Sequence, residues 1–173
     1  MIKRETPKLV LASASQVRAA ILGGAGIDFD ICPSQVDEDL LKGKIKNGPD
    51  LALALAGEKA RAVALEYPAH LVLGADQILS CNGKLFDKPR DMDEARENLI
   101  FMRGKTHQMI NGMVLVLNGQ PVWQNTASAS LNIILAPFPP SSKLTLLKSF
   151  AAFSEIKAPA LVEPVKETML TSG

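Results

Sequence analysis

The spacing of apolar positions changes period several times along the chain, and each change marks an element. Leu9 to Ala12 is a short apolar run that ends in small polar residues, the pattern of a buried strand feeding a loop. Val17, Ala20 and Ile21 then stand at i, i+3 and i+4 between a serine N-cap, Ser13 or Ser15, and a Gly23-Gly24 stop, which predicts a helix. Phe29 to Cys32 reads as a second strand closed by Pro33. Residues 36–48, VDEDLLKGKIKNG, are polar and charged and suit a surface loop or lid. From Asp50 to Glu66 the positions Leu51, Leu55, Ala62 and Leu65 keep helical spacing, so a long amphipathic helix is expected. Leu71 to Gly74 is the next buried strand and opens into Ala75-Asp76-Gln77, while Asn82-Gly83 supplies a hairpin turn between ILS and KLF. Asp91 with Glu94 is a capping-box-like start, and Ala95, Leu99 and Met102 mark the buried face of a helix ending near Gly104.

A second Asn-Gly pair, Asn118-Gly119, lies between His107 to Leu117 and Val122 to Leu135, predicting a hairpin of two long strands. Strand, helix, strand, helix, strand, helix and hairpin in that order give an α/β fold with a mixed sheet. From Pro137 the character changes: PFPPSS, a helical patch KLTLLKSFAAF, then a stretch with prolines at 159 and 164, a segment expected to be loosely structured or peripheral. No repeat or low-complexity segment is visible.

At 173 residues the chain is long enough for one domain with a core, or two small lobes sharing one sheet, and is read as a single unit. Lys and Arg number 19 against 18 Asp and Glu, a formal charge of +1, so no whole-molecule field draws the protein to nucleic acid or an anionic membrane. Attraction for phosphate must be local. Two cysteines, Cys32 and Cys81, make no disulfide framework and no zinc-like pairing; both suit buried small hydrophobes in a reducing cytoplasm. The first apolar run is shorter than a signal peptide's core, and no stretch is long enough to span a bilayer. A cytoplasmic protein without nucleic-acid or membrane partners is expected.

Several residues could carry chemistry. A strand that ends in small residues and feeds a helix aims unpaired backbone N–H groups at one spot, where an anion is favoured. Ser13 and Ser15 add hydroxyls there and Arg18 adds charge, although taken alone the same residues fit an ordinary serine N-cap beside a solvated arginine better. Asp76 follows an apolar strand directly, in the crevice position of open α/β sheets, or else is a turn aspartate bonding its own backbone. Pro89 restricts Lys88 to extended backbone, which would aim its ammonium; Lys59 in GEKAR lies on a helix whose exposed face should be charged. Surface lysines are common, so both also fit a solvated role. Asp37 and Glu38 are either a solvated run or oxygen ligands suited to magnesium. There is no phosphate-binding G-x-x-x-x-G-K-[ST], and Gly24-Ala25-Gly26 lacks the third glycine of a dinucleotide fingerprint. His70 and His107 have no ligand-like spacing and are read as structural, and Trp123 and Tyr67 make no base-stacking platform.

Taken in order, LVLASASQVRAAIL, VDE, GEKAR, LVLGADQIL, LFDKP, DEARENL and RGKTHQMINGMVLV resemble the Maf-like nucleoside triphosphate pyrophosphatases, relatives of the inosine triphosphatase superfamily, from about Lys8 to Phe138. The resemblance implies a mixed twisted sheet flanked by helices, with two lobes around a nucleotide cleft. It implies hydrolysis of a nucleoside triphosphate, ordinary or modified, at the α–β anhydride to a monophosphate and pyrophosphate, with Mg2+ or another divalent cation such as Mn2+. On the matching positions it implies Asp76, Glu38 and Lys88 as catalytic residues, with Asp76 activating water or holding metal and Glu38 a second acid at the metal. Ser13, Ser15, Arg18 and Lys59 become substrate contacts, Lys88 also grips phosphate, and Gln77 lies where family members differ with base preference. A homodimer is a further expectation.

Two departures stand out. Where the family often shows S-x-S-P-R-R, Gln16 and Val17 replace the proline and first arginine, removing a phosphate contact or marking a different substrate branch. After Phe138 the glycine- and aromatic-containing stretch of the family is not found. The chain is therefore divided into a Maf-like pyrophosphatase domain over 1–138 and a divergent or frame-shifted tail over 139–173. Loss of activity through that tail would leave a nucleotide-binding regulatory protein of the same fold, linked by the resemblance to septum formation; retention of Asp76, Glu38, Lys59 and Lys88 favours the enzyme.

Overall fold

The structure, a computed structural model, describes residues 7–132. Along the chain it forms β1 (Leu9–Leu11), α1 (Gln16–Gly24), β2 (Phe29–Ile31), α2 (Asp39–Lys44), α3 (Gly48–Ala64), β3 (Leu71–Cys81), β4 (Lys84–Phe86), α4 (Met92–Met102), β5 (Thr106–Leu117) and β6 (Gln120–Asn132). The strands build one 6-stranded sheet in the order β2-β1-β3-β5-β6, with β4 also paired to β3. On one side β1 runs parallel to β2 and β3; on the other, β3 runs antiparallel to β4 and β5, and β5 to β6. The expected mixed sheet flanked by helices is therefore present. The distal end of the second hairpin past Asn132, the helical patch and the tail lie outside the described residues.

Both Asn-Gly turns are as the sequence demands. Asn82 and Gly83, and likewise Asn118 and Gly119, take positive φ in succession, the conformation that lets a two-residue turn match the twist of its flanking strands.

The long strand β3 differs from expectation. It does not stop at Gly74 but continues to Cys81, because β5 offers it a register of partners from Val72↔Val116 to Cys81↔His107. Ladder pairing overrides the local turn signal of Ala75-Asp76-Gln77. The parallel partner β1, however, ends at Leu11 opposite Leu73, with Ala12 N–H donating to the Leu73 carbonyl at 2.8 Å. Asp76 is thus mid-strand in β3 and at the same time just beyond the carboxyl end of β1.

Helix α3 packs on one face of the sheet through Leu51, Ala52, Leu55, Ala56, Ala60, Val63 and Ala64. This stripe is richer in alanine than the expected Leu51, Leu55, Ala62, Leu65 set. Leu65 lies past the last turn and is 84% exposed, and Ala62 is only half-buried. Small residues bring the helix backbone down onto the strands, which in turn must be bare: a Cβ on Gly74 would overlap the Ala56 carbonyl, and one on Gly112 would overlap the Ala52 backbone. Leu79 and Cys81 point the other way, where Phe86 and α4, through Leu99 and Met102, cover them. By contrast α1 buries no residue among those described, with Ile21 56% exposed. The segment expected to be a loop or lid contains α2, held by Leu41 and Ile45 against the Leu51, Leu55, Ile78 and Ile110 cluster. Among the described residues, no helix is long and apolar enough to cross a membrane.

Candidate active site

Strand alternation decides which side chains can meet. Gly74, Asp76 and Ile78 share the face of β3 that α3 covers, and on α3 Lys59 stands one turn after Leu55, on the same sheet-facing stripe. Because Gly74 lies under Ala56 and Ala60, the next position on that face, Asp76, comes within reach of Lys59: Nζ is 2.5 Å from Asp76 Oδ1. Lys59 is no solvated surface lysine. Its side chain is only 13% exposed and that of Asp76 only 11%, and such charges persist in a protein interior only when paired.

The same ammonium is 2.7 Å from Glu38 Oε1, so one cation draws together an acid from the sheet and an acid from the segment before α2. Glu38 Oε2 in turn pairs with Lys42 Nζ at 3.1 Å, and Lys42 reaches Asp87 Oδ1 at 2.8 Å. On the other flank, Arg18 Nη1 donates to Ser13 Oγ at 2.9 Å, and the Ser15 amide donates to the same oxygen at 3.2 Å. Ser15 is the N-cap of α1, its hydroxyl accepting from the Arg18 amide at 3.4 Å. The capping and the anion-site readings of these serines are therefore compatible: the cap fixes the loop that presents buried Ser13 and Arg18. Burial lowers the Arg18 pKa, while Asp76 and Glu38 pull it back up, which places the guanidinium within their field.

The two central acids share Lys59 yet shift oppositely. Burial pushes the Asp76 carboxyl above its usual range, against the pull of Lys59. Burial acts upward on Glu38 too, but Lys59 and Lys42 together outweigh it and hold that carboxyl below the usual glutamate value. A pair of acids with separated pKa values is a common basis for separated roles, the higher one better suited to accept a proton.

Of the residues singled out from sequence, Ser13, Ser15, Arg18, Glu38, Lys59 and Asp76 converge. Lys88 is exposed and makes no ion pair among the described residues, although its neighbour Asp87 is tied into the network through Lys42. Gln77 points to the opposite face of β3 from Asp76, its amide donating to Asn111 Oδ1 at 2.9 Å. Asp37, just before α2, accepts from the Asp39 amide at 3.0 Å. His107 is buried in β5, where burial lowers its pKa. Lys42 and Asp87 were missed by sequence reasoning. The signal was the i, i+4 spacing of Glu38 and Lys42, which has meaning only once residues 39–44 are known to be helical.

A capped β1–α1 turn carrying Ser13 and Arg18 lies beside an acid pair bridged by lysine, at the edge where parallel strands of an α/β fold give way to antiparallel ones. The family model for Maf-like proteins matches residues 8–140, and the chain belongs to that family. It is 39% identical over 132 residues to a 7-methyl-GTP pyrophosphatase of Mesorhizobium japonicum, covering 74% of this chain and 66% of the relative. It is 37% identical over 130 residues to a nucleoside triphosphate pyrophosphatase of Granulibacter bethesdensis, covering 73% and 66%. The chain thus spans just under two thirds of the length of these relatives. Among solved structures, a HAM1 protein from Coxiella burnetii aligns at 14% identity with a TM-score of 0.48, over 79% of this chain and 78% of that one.

Proposed function

We propose that this site hydrolyses the α–β anhydride of a nucleoside triphosphate, ordinary or modified, to a monophosphate and pyrophosphate. The observation that carries the reading is the convergence of Asp76 and Glu38 on Lys59, beside Arg18 and Ser13. The names of the relatives, a nucleoside triphosphate pyrophosphatase and a 7-methyl-GTP pyrophosphatase, support the same chemistry.

Asp76, with its raised pKa, accepts a proton from the attacking water. Arg18, Lys59 and Lys88 offset the charge of the phosphates, the Ser13 hydroxyl and the α1 N-terminal amides bond phosphate oxygens, and Glu38 stays ionised. Gln77, which the family resemblance links to base preference, lies on the other face of β3 against Asn111.

A divalent cation, Mg2+ or Mn2+, fits the donors present. Glu38 and Asp76 are hard oxygen ligands that already face one point occupied by a positive charge, the Lys59 ammonium. Among the described residues no group of three or more His, Cys, Asp or Glu side chains forms a metal cage. Two carboxylates completed by substrate phosphates and water are what Mg2+ commonly uses. When bound it would supply charge neutralisation at the scissile phosphates.

The test is incubation of the protein with a panel of nucleoside triphosphates and Mg2+ or Mn2+, with and without chelator, scoring pyrophosphate against orthophosphate. Pyrophosphate that vanishes on chelation is expected. Orthophosphate as the product, or no product with any nucleotide, would overturn the reading.

A further inference from the structure

We propose that Lys42 is a positioning residue for this reaction: one ammonium holds Glu38 by the oxygen that Lys59 does not use and fastens the Asp87-Lys88 segment to α2. The inference rests on the proposed function and adds a residue to it.

Glu38 is held from both sides. Its Oε1 faces Lys59 at 2.7 Å and its Oε2 faces Lys42 at 3.1 Å, so the carboxylate plane is fixed by two cations on two different helices. Those helices differ in how deeply they are anchored. Helix α3 buries a full stripe against the sheet, whereas α2 has no buried residue and leans on Leu41 and Ile45 alone. The Glu38–Lys59 contact ties the start of α2 to α3, and Lys42, from within α2, braces the same carboxylate and ties the helix to the segment after β4. Its second partner, Asp87 at 2.8 Å, directly follows β4 and directly precedes Lys88. Lys88 therefore has an anchored residue before it and Pro89, which limits its backbone to extended conformations, after it. An exposed lysine without a carboxylate partner among the described residues is in this way given a fixed origin from which to reach phosphate.

Asp87 is 70% exposed and Lys42 27%, so the pair adds little to stability. Its consequence is geometric, and small misplacements at a reacting centre cost far more in rate than in folding. Since two of the three Lys42 donors are taken by carboxylates, loss of Lys42 should appear in turnover and not in substrate affinity.

The experiment compares wild type, Lys42→Met, Lys42→Arg, Asp87→Asn and Lys42→Met/Asp87→Asn in steady-state pyrophosphate release and thermal unfolding. Lys42→Met should unfold near the wild-type temperature and lose roughly tenfold to a hundredfold in kcat with little change in KM. Lys42→Arg, which can bridge two carboxylates through its planar fork, should recover most of that loss. Asp87→Asn should cost nothing further in the Lys42→Met background. Unchanged kcat in Lys42→Met, a loss confined to KM, or a full additional loss in the double variant would each overturn the assignment. Absence of pyrophosphate release by the wild type would sink the proposed function instead. Amide exchange over residues 84–90 would then decide the anchoring: faster exchange in Lys42→Met upholds it, and unchanged exchange overturns it.

Discussion

At the scale of single residues the site turns on the contrast between two carboxylates that share one lysine. Asp76 is more deeply buried and has one cation in contact; Glu38 is a third exposed at its side chain and has two. Desolvation therefore wins at Asp76 and ion pairing wins at Glu38. If Asp76 must be ionised to take a proton from water, kcat/KM will fall as pH drops through its raised pKa. The acid limb of a pH profile should then lie above the ordinary aspartate range, and a limb within or below that range would count against Asp76 as the base. Folding obeys the same shift. A carboxyl whose pKa is raised by folding contributes stability below its unfolded pKa and loses it as pH rises through the folded value. At neutral pH Asp76→Asn should accordingly unfold at or above the wild-type temperature, with Lys59 still paired to Glu38, while losing pyrophosphate release. That outcome would mark Asp76 as a functional group rather than a structural one.

At the scale of elements, what the sequence made legible was local and what it hid was tertiary. Both hairpins followed from Asn-Gly turns, and α4 followed from Asp91 capping the Glu94 amide at 2.8 Å with Ala95, Leu99 and Met102 inward. The length of β3 did not follow, since Asp76 and Gln77 look like a turn until ten consecutive positions find partners on β5. Nor did α2, whose polar sequence hides the pair of apolar contacts at Leu41 and Ile45. The α3 stripe was half legible: leucines announce burial, whereas alanines do so only when a glycine-bearing strand lies beneath them. That contact sets the distance from Lys59 to Asp76. Gly112→Ala would push a methyl group into the Ala52 backbone, and the helix must move to admit it. Overpacking of this kind destabilises by about 1–3 kcal/mol, and here it should also lower kcat by lifting Lys59 from the acids. Denaturant unfolding together with kinetics checks both; a variant with lower stability but wild-type kcat would show that the α3–sheet distance does not tune the site.

At the scale of the whole molecule, a chain of formal charge +1 holds an alternating array of charges in one place. From β4 to α1 run Asp87, Lys42, Glu38, Lys59, Asp76 and Arg18, each near an opposite charge, contributed by segments up to 69 positions apart in sequence. No spacing rule could have assembled that array; individual lysines and acids read as ordinary surface residues, and the ordered resemblance of several motifs pointed only to the meeting of Arg18, Glu38, Lys59 and Asp76. Gln77 and Lys88 show the converse, since the same resemblance singled them out and neither touches the network directly. The proposed function requires that this array, with Asp76 at its centre, break the α–β anhydride. Phosphorus NMR of a nucleoside triphosphate and Mg2+ with equal amounts of folded wild-type and Asp76→Asn protein tests it most directly. Monophosphate and pyrophosphate in equal amounts are expected from the wild type and an unaltered triphosphate spectrum from the variant; pyrophosphate appearing at the wild-type rate from Asp76→Asn would remove Asp76 from the chemistry.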